Sequence, residues 1–185
     1  LSNDYTLACN ENLRSAITRI FIAPACDISS MTADSTSMAF TAVTMSTTSD
    51  VFYEYEFEPF TKSFNGEGNS ENGTATFTNT LEGKILGLDK TKLQRVQDLI
   101  DERKLTIVFE TPNSTGSNKR AFVLGYDSIL EEDAFATPSA NTVIEAELDG
   151  ENAITVSFEA MHAELIREFV GSISTNSSGN VSFGS

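Results

Sequence analysis

The feature that most constrains this chain is an alternation of apolar and polar residues with a period of two. It recurs in short runs separated by Gly, Asn and Pro. Successive side chains of a pleated strand point to opposite faces, so such a run buries one side only as a β-strand. The clearest case is Val51 to Phe60 (VFYEYEFEPF), which places Val51, Tyr53, Tyr55 and Phe57 on one face and Glu54, Glu56 and Glu58 on the other. Thr74 to Ile85 alternates again, with Phe77, Leu81 and Ile85 inward and Thr76, Thr78, Thr80 and Glu82 outward. Between them, Asn65, Gly66, Glu67, Gly68, Asn69 and Gly73 lie in a stretch rich in residues that accept positive φ in tight turns. The expectation is one long hairpin with a projecting polar tip at 65–73.

Shorter runs extend the pattern. Ala16 to Ala23 is rich in β-branched residues and stops at Pro24, and Ser35 to Ser46 alternates through Met38, Phe40, Ala42 and Thr44. Leu105 to Glu110 and Arg120 to Tyr126 form a second hairpin, whose return strand is apolar on both faces as a central strand is. Asn141 to Leu148 and Ala153 to His162 form a third around Asp149-Gly150, with Ile144, Ala146 and Leu148 facing Ile154, Val156 and Phe158 and with Glu145, Glu147 and Glu159 outside. The helical period appears once, in Asp89 to Lys104. There Asp89 is placed to cap and Leu93, Val96, Leu99 and Ile100 make a one-sided stripe. The fold class expected is mainly β (α+β): a two-sheet β-sandwich or roll of antiparallel hairpins with one flanking α-helix and extended N- and C-terminal arms. Its parts are an arm over 1–13, a β domain over 14–170 and a Gly/Ser/Asn-rich arm over 171–185. Ile173, Val181 and Phe183 are the apolar anchors by which the last arm docks, through strand addition to a neighbour.

With 27 acidic against 12 basic residues the net charge is −15. Such a surface has few cations to release counterions from a duplex, which argues against sequence-specific nucleic-acid binding and against anionic membranes. An acidic wall past which DNA slides without sticking is compatible with it. No apolar run reaches the ~20 residues of a membrane-spanning helix, and no basic-then-apolar leader is visible, residues upstream of Leu1 being left open. Cys9 and Cys26 fit no metal or redox spacing. They read as unpaired thiols, with a single bridge as the alternative.

Catalytic patterns are missing. His162 is the only histidine, and no Gly-x-Ser-x-Gly elbow accompanies it, so a strand-end or interface role is expected. Glu131, Glu132 and Asp133 form the densest acidic run but match no EF-hand spacing, and Gly66, Gly68 and Gly73 carry no phosphate-loop lysine. No catalytic residue, metal or cofactor is expected. A hydrolase using His162 with Glu132 is the weakest reading.

The order of elements from Val51 to Phe169 resembles that of tail-tube and tail-ring (hub) proteins of tailed bacteriophages, particularly the Bacteroidetes-phage type. It comprises an acidic-aromatic strand, a polar tip, a Thr-rich return strand (Gly73 to Ile85), the Leu93–Ile100 helix, the strand ending Leu124-Gly125-Tyr126-Asp127 and the hairpin Thr142 to Glu159. The resemblance implies a virion structural protein, assembled in the bacterial cytoplasm, whose copies join edge to edge into a ring. That ring is expected to be a hexamer, another symmetry being the alternative, in contact with other tail or connector proteins, and its inner β wall surrounds DNA that passes without specific binding. Under it, Glu54, Glu56, Glu58, Glu82, Glu145, Glu147 and Glu159 face the lumen, and 65–73 contacts the adjacent ring. A secreted or surface β-sandwich, such as a pilin-like subunit or an adhesive module, is the alternative.

Overall fold

The computed structural model describes residues 16–71, 73–112, 119–145, 150, 152–175 and 180–184. In chain order the strands are β1 (Arg19–Pro24), β2 (Ile28–Ala33), β3 (Ala39–Met45), β4 (Phe52–Tyr55), β5 (Ser63–Glu71) and β6 (Thr74–Leu86). The helix α1 (Lys90–Glu102) follows, then β7 (Leu105–Thr111), β8 (Arg120–Leu124), β9 (Thr137–Ile144), β10 (Asn152–His162), β11 (Arg167–Phe169), β12 (Ser172–Thr175) and β13 (Asn180–Gly184). They form a mainly β sandwich of two sheets, one nine-stranded in the order β12-β13-β4-β1-β7-β8-β11-β3-β2 and one four-stranded in the order β5-β6-β10-β9. All described pairings are antiparallel except β11 with β3.

The large sheet curls on itself. Its strands β11 and β12 stand six places apart in the order, yet only Val170 and Gly171 connect them. Three residue steps reach no more than about 11 Å, whereas six flat strand spacings would need about 29 Å. The sheet therefore rolls until its ends approach, and its concave face closes around Phe21, Phe40, Phe52, Val108, Val123 and Phe169. Phe183 fills the centre of this roll, edge-on to the rings of Phe52 at 4.5 Å, Phe169 at 5.1 Å and Phe21 at 5.7 Å. Edge-to-face rings at these separations add to the area they bury.

The convex face of the same sheet packs on the small one. Ile20, Ile22, Ile107, Phe109 and Leu124 meet Leu81, Ile154, Val156, Phe158 and Ala160. Helix α1 adds Val96 and Leu99 to this second core and packs beside β9. The Asp89 carboxylate caps the helix, accepting from the N–H groups of Thr91 and Lys92 at 2.8 and 2.9 Å, and Arg103 ends it at φ +61°. Gly83, on the inner face of β6, leaves room for the Phe57 ring. A Cβ there would lie 2.7 Å from that ring.

Several sequence expectations change. The acidic-aromatic run is a strand only over β4, and its buried residue is Phe52 while Tyr53 is 53% exposed. The sheet is buried on both sides here: Phe52 enters the roll, while Tyr55 and Phe57, on the expected face, pack in the core between the sheets, so the expectation fails at Tyr53 and not along the whole run. Beyond Tyr55 the chain leaves the large sheet and reaches the small one, where the Glu58 N–H bonds the Lys84 carbonyl at 2.8 Å, so the alternation of Glu56 and Glu58 marks a crossover. The partner of β6 is β5, in register from Ser63↔Glu82 to Glu71↔Thr74, and 65–71 is strand rather than tip. Gly73, at φ +80°, holds the turn. Strand β9 begins at Thr137 and sets Thr142, not Ile144, opposite Ile154, while Ala146, Glu147 and Leu148 lie outside the described residues, as do the N-terminal arm and Cys9. The C-terminal arm adds to its own chain: β13 pairs with β4, so no neighbour is needed to seat it.

Candidate functional site: the outer face and open edges of the small sheet

Two observations single out the four-stranded sheet. The first is its outer face. Strand registers place Asn65, Glu67 and Asn69 of β5, Thr74, Thr76, Thr78, Thr80, Glu82 and Lys84 of β6, Ser157 and Glu159 of β10, and Thr137, Ser139 and Asn141 of β9 on one surface. This face is hydroxyl- and amide-rich with a negative balance, Glu67, Glu71, Glu82 and Glu159 standing against Lys84, and it also carries the exposed Met161 and Leu86. Glu82 lies opposite Ser157 and Glu159 opposite Thr80, so the two carboxylates are diagonal neighbours.

The second observation is the pair of outer strands. Among the described residues, β5 and β9 each have a strand on one side only, and no backbone bond fills the other along these strands, although Leu105 bridges Ala136 just before β9 and α1 packs beside that strand. Unpaired N–H and C=O groups on an edge template the pairing of another chain unless the edge is short, bulged or charged. The edges of the large sheet are guarded in these ways: β12 is four residues long, and β2 carries two register irregularities. By contrast β5 runs nine residues in unbroken register with no Lys, Arg or Pro, its charges being Glu67 and Glu71, and β9 runs eight, with Pro138 near its start.

Each open edge also leaves apolar surface beside it. Next to β5, between the sheets, lies a groove of about 440 Å³ lined by Ile17, Phe64, Phe109, Phe122 and Ile166. On the core-facing side of β9, Ala140 and Thr142 are exposed and Ile144 is 69% exposed.

The remaining acidic residues lie elsewhere. Glu54 is on the large sheet, where Arg19 holds it through two bonds of 2.7 Å, and this hydrogen bonding lowers its pKa. Glu56 and Glu58 line a cleft with Arg19, Lys62 and Lys92 at the end of β6. Glu145 follows β9 and is exposed, and Glu147 is outside the described residues. Of the seven acidic candidates, Glu82 and Glu159 share the outer face; Glu67, named only as part of the turn, joins them.

His162 is buried at the end of β10, its Nε2 accepting from the Gly125 N–H at 3.1 Å, and so it fastens the small sheet to the chain leaving β8. Burial lowers its pKa, against the opposing charges of Asp127 and Glu164. Asp127 accepts from the N–H groups of Ile129 and Ala163, both at 2.8 Å. Although burial opposes it, the Glu164 carboxyl is held down at about 2 by Arg167 and by the Ser128 N–H. These groups serve as struts between loops. Glu131, Glu132 and Asp133 are exposed around a single 3₁₀ turn, and Cys26 is an exposed thiol whose pKa is raised, first by burial and then by Asp27.

Ile173 is partly buried against the roll whose centre Phe183 fills, and Val181 is placed by its backbone beside Phe52. Comparison with protein-family models, with curated proteins and with solved structures finds no match for this chain. What fold and surface define together is a β-sandwich whose smaller sheet, among the described residues, is open at both margins.

Proposed function

We propose that this chain is a structural subunit of a bacteriophage tail tube or tail ring. Its small sheets join edge to edge, and their outer faces line a passage for DNA. The observation that carries the reading is the open pair β5 and β9 on a sheet with an even number of strands. With four alternating strands, β5 and β9 run in opposite directions, so β9 of one copy meets β5 of the next antiparallel, as every pair within the small sheet does. The same step repeats at each copy, and a heterologous contact of this kind closes a ring when its rotation closes.

Six copies, the number implied by the resemblance, give a continuous wall about 37 Å across at a strand spacing of about 4.8 Å, and strand tilt widens it. The lining is then Thr, Ser and Asn with Glu67, Glu82 and Glu159, interrupted by Lys84 and the exposed Met161, a surface whose negative balance repels a polyanion. In this role the chain needs neither catalytic group nor cofactor. Mass photometry and negative-stain imaging of the purified protein test it: rings or stacked rings are expected, and a species that stays monomeric at all concentrations overturns it.

A further inference from the structure

Asn79 is 2% exposed, and its Nδ2 is, among the described residues, the buried side-chain polar atom with no partner. It sits on the core-facing side of β6, opposite Gly66 of the open strand β5. Its carboxamide occupies the space a side chain would take at Gly66, since a Cβ there would lie 2.7 Å from Oδ1. One pair along, the Phe77 ring lies over Gly68 in the same way, at 2.7 Å from a notional Cβ. The core-facing side of β5 therefore offers three different surfaces in order: the Phe64 groove, the Asn79 carboxamide with its Oδ1 at Gly66, and a ring face at Gly68. A buried polar group without a partner is costly and rare.

The core-facing side of β9 offers a matching series. Reading back along it, Ile144 is a large exposed aliphatic, Thr142 a hydroxyl and Ala140 a small methyl, all uncovered. We propose that these two series are the two halves of one contact, and that copies of this chain pair in a single register with Thr142 of one opposite Gly66 of the next. In that register Ile144 enters the groove beside Phe64, the Thr142 hydroxyl meets the Asn79 amide, and Ala140 lies on the Phe77 ring. A hydroxyl both donates and accepts, so it serves either end of the carboxamide. Core-facing residues recur every second position, so the nearest alternatives slip by two. One slip puts Thr142 into the apolar groove, and the other puts Ile144 on the amide. Asn79 is thus a positioning residue that fixes where the strands meet. This deepens the ring reading and rests on it.

Cysteine pairs on the outer face test the register in a Cys9→Ser, Cys26→Ser background. The proposed contact sets Glu67 opposite Asn141 of the neighbour. Within one chain these residues are three strands apart, roughly 14 Å, beyond the ~7 Å limit for a disulfide, so any bridge is between copies. Glu67→Cys with Asn141→Cys is expected to give a ladder of covalent oligomers several-fold faster than Glu67→Cys with Ser139→Cys or with Val143→Cys. A faster bridge from either offset pair overturns the register and leaves the ring standing. Oligomers in mass photometry with no bridge from any pair also overturn it. Monomers throughout overturn both register and ring. Asn79→Leu removes the unpaired donor. It is expected to leave the monomer's melting temperature unchanged or raised while increasing the concentration needed for assembly several-fold, and unchanged assembly sinks the role of Asn79.

Discussion

The two sheets solve the same problem in opposite ways. The nine-stranded sheet deals with its margins inside the chain: it rolls until its ends approach, plugs the roll with Phe183, and finishes in a four-residue strand on one side and a bulged strand on the other. The four-stranded sheet buries one face and leaves both margins long, regular and flanked by uncovered apolar residues. Among the described residues, the long regular strand edges without a partner belong to the small sheet. A molecule built this way can be stable alone and still be incomplete at one place, which suits a subunit made before it is assembled.

The comparison breaks first at Phe183. Phe183→Ala empties the centre of the roll and is expected to cost about 3–5 kcal/mol, read as a lower denaturant midpoint. If the two regions are separate in function, whatever protein remains folded still assembles. Loss of assembly from the folded fraction would mean the roll supports the margins directly.

The junction between the sheets gives the next effect, as a dependence on pH. His162 has a lowered pKa in the folded protein, so its neutral form supports the fold above the ordinary value of 6.5. That support is lost as pH falls from there through the folded value. Glu164 acts in a second window: its contribution is full above 4.5 and disappears as pH falls toward about 2. Thermal melts across pH 7 to 3 should fall in these two stages. His162→Gln, which keeps an acceptor for the Gly125 N–H, should flatten the first stage only.

A smaller effect on stability with a large one on assembly is expected at the open margin. Ala140→Lys places a charge beside β9 as natural edge strands do. Stability should stay within about 0.5 kcal/mol while mass photometry shows monomers; rings that persist would show that β9 is not the contact. The smallest effect belongs to Glu54→Gln. It breaks a partly exposed ion pair with Arg19, worth about 1 kcal/mol or less, and leaves the outer face untouched. DNA retention by assembled protein should not change, whereas Glu82→Lys with Glu159→Lys should make DNA stick.

Much of this was legible in the residues. Helix α1, its Asp89 cap, the β7–β8 and β9–β10 hairpins and the outward Thr and Glu of β6 all follow from local periodicity, because a buried face imprints its spacing on the sequence. Strand β2 left no such trace, since its buried residues Ile28 and Met31 stand three apart across a bulge. Strand β5 was hidden by its glycines, which read as a turn until Asn79 and Phe77 are seen lying across them.

What the chain determined by itself was local: where most segments extend, where α1 forms, and a strongly negative net charge. The tertiary structure alone decided that Phe183 closes its own sheet, that Glu54 is tied to Arg19 while Glu82 and Glu159 share a face, and that two particular margins stay open. Strand identity depends on neighbours a few residues away. Strand order depends on which distant segments compete best for the same backbone groups, and no periodicity records that contest.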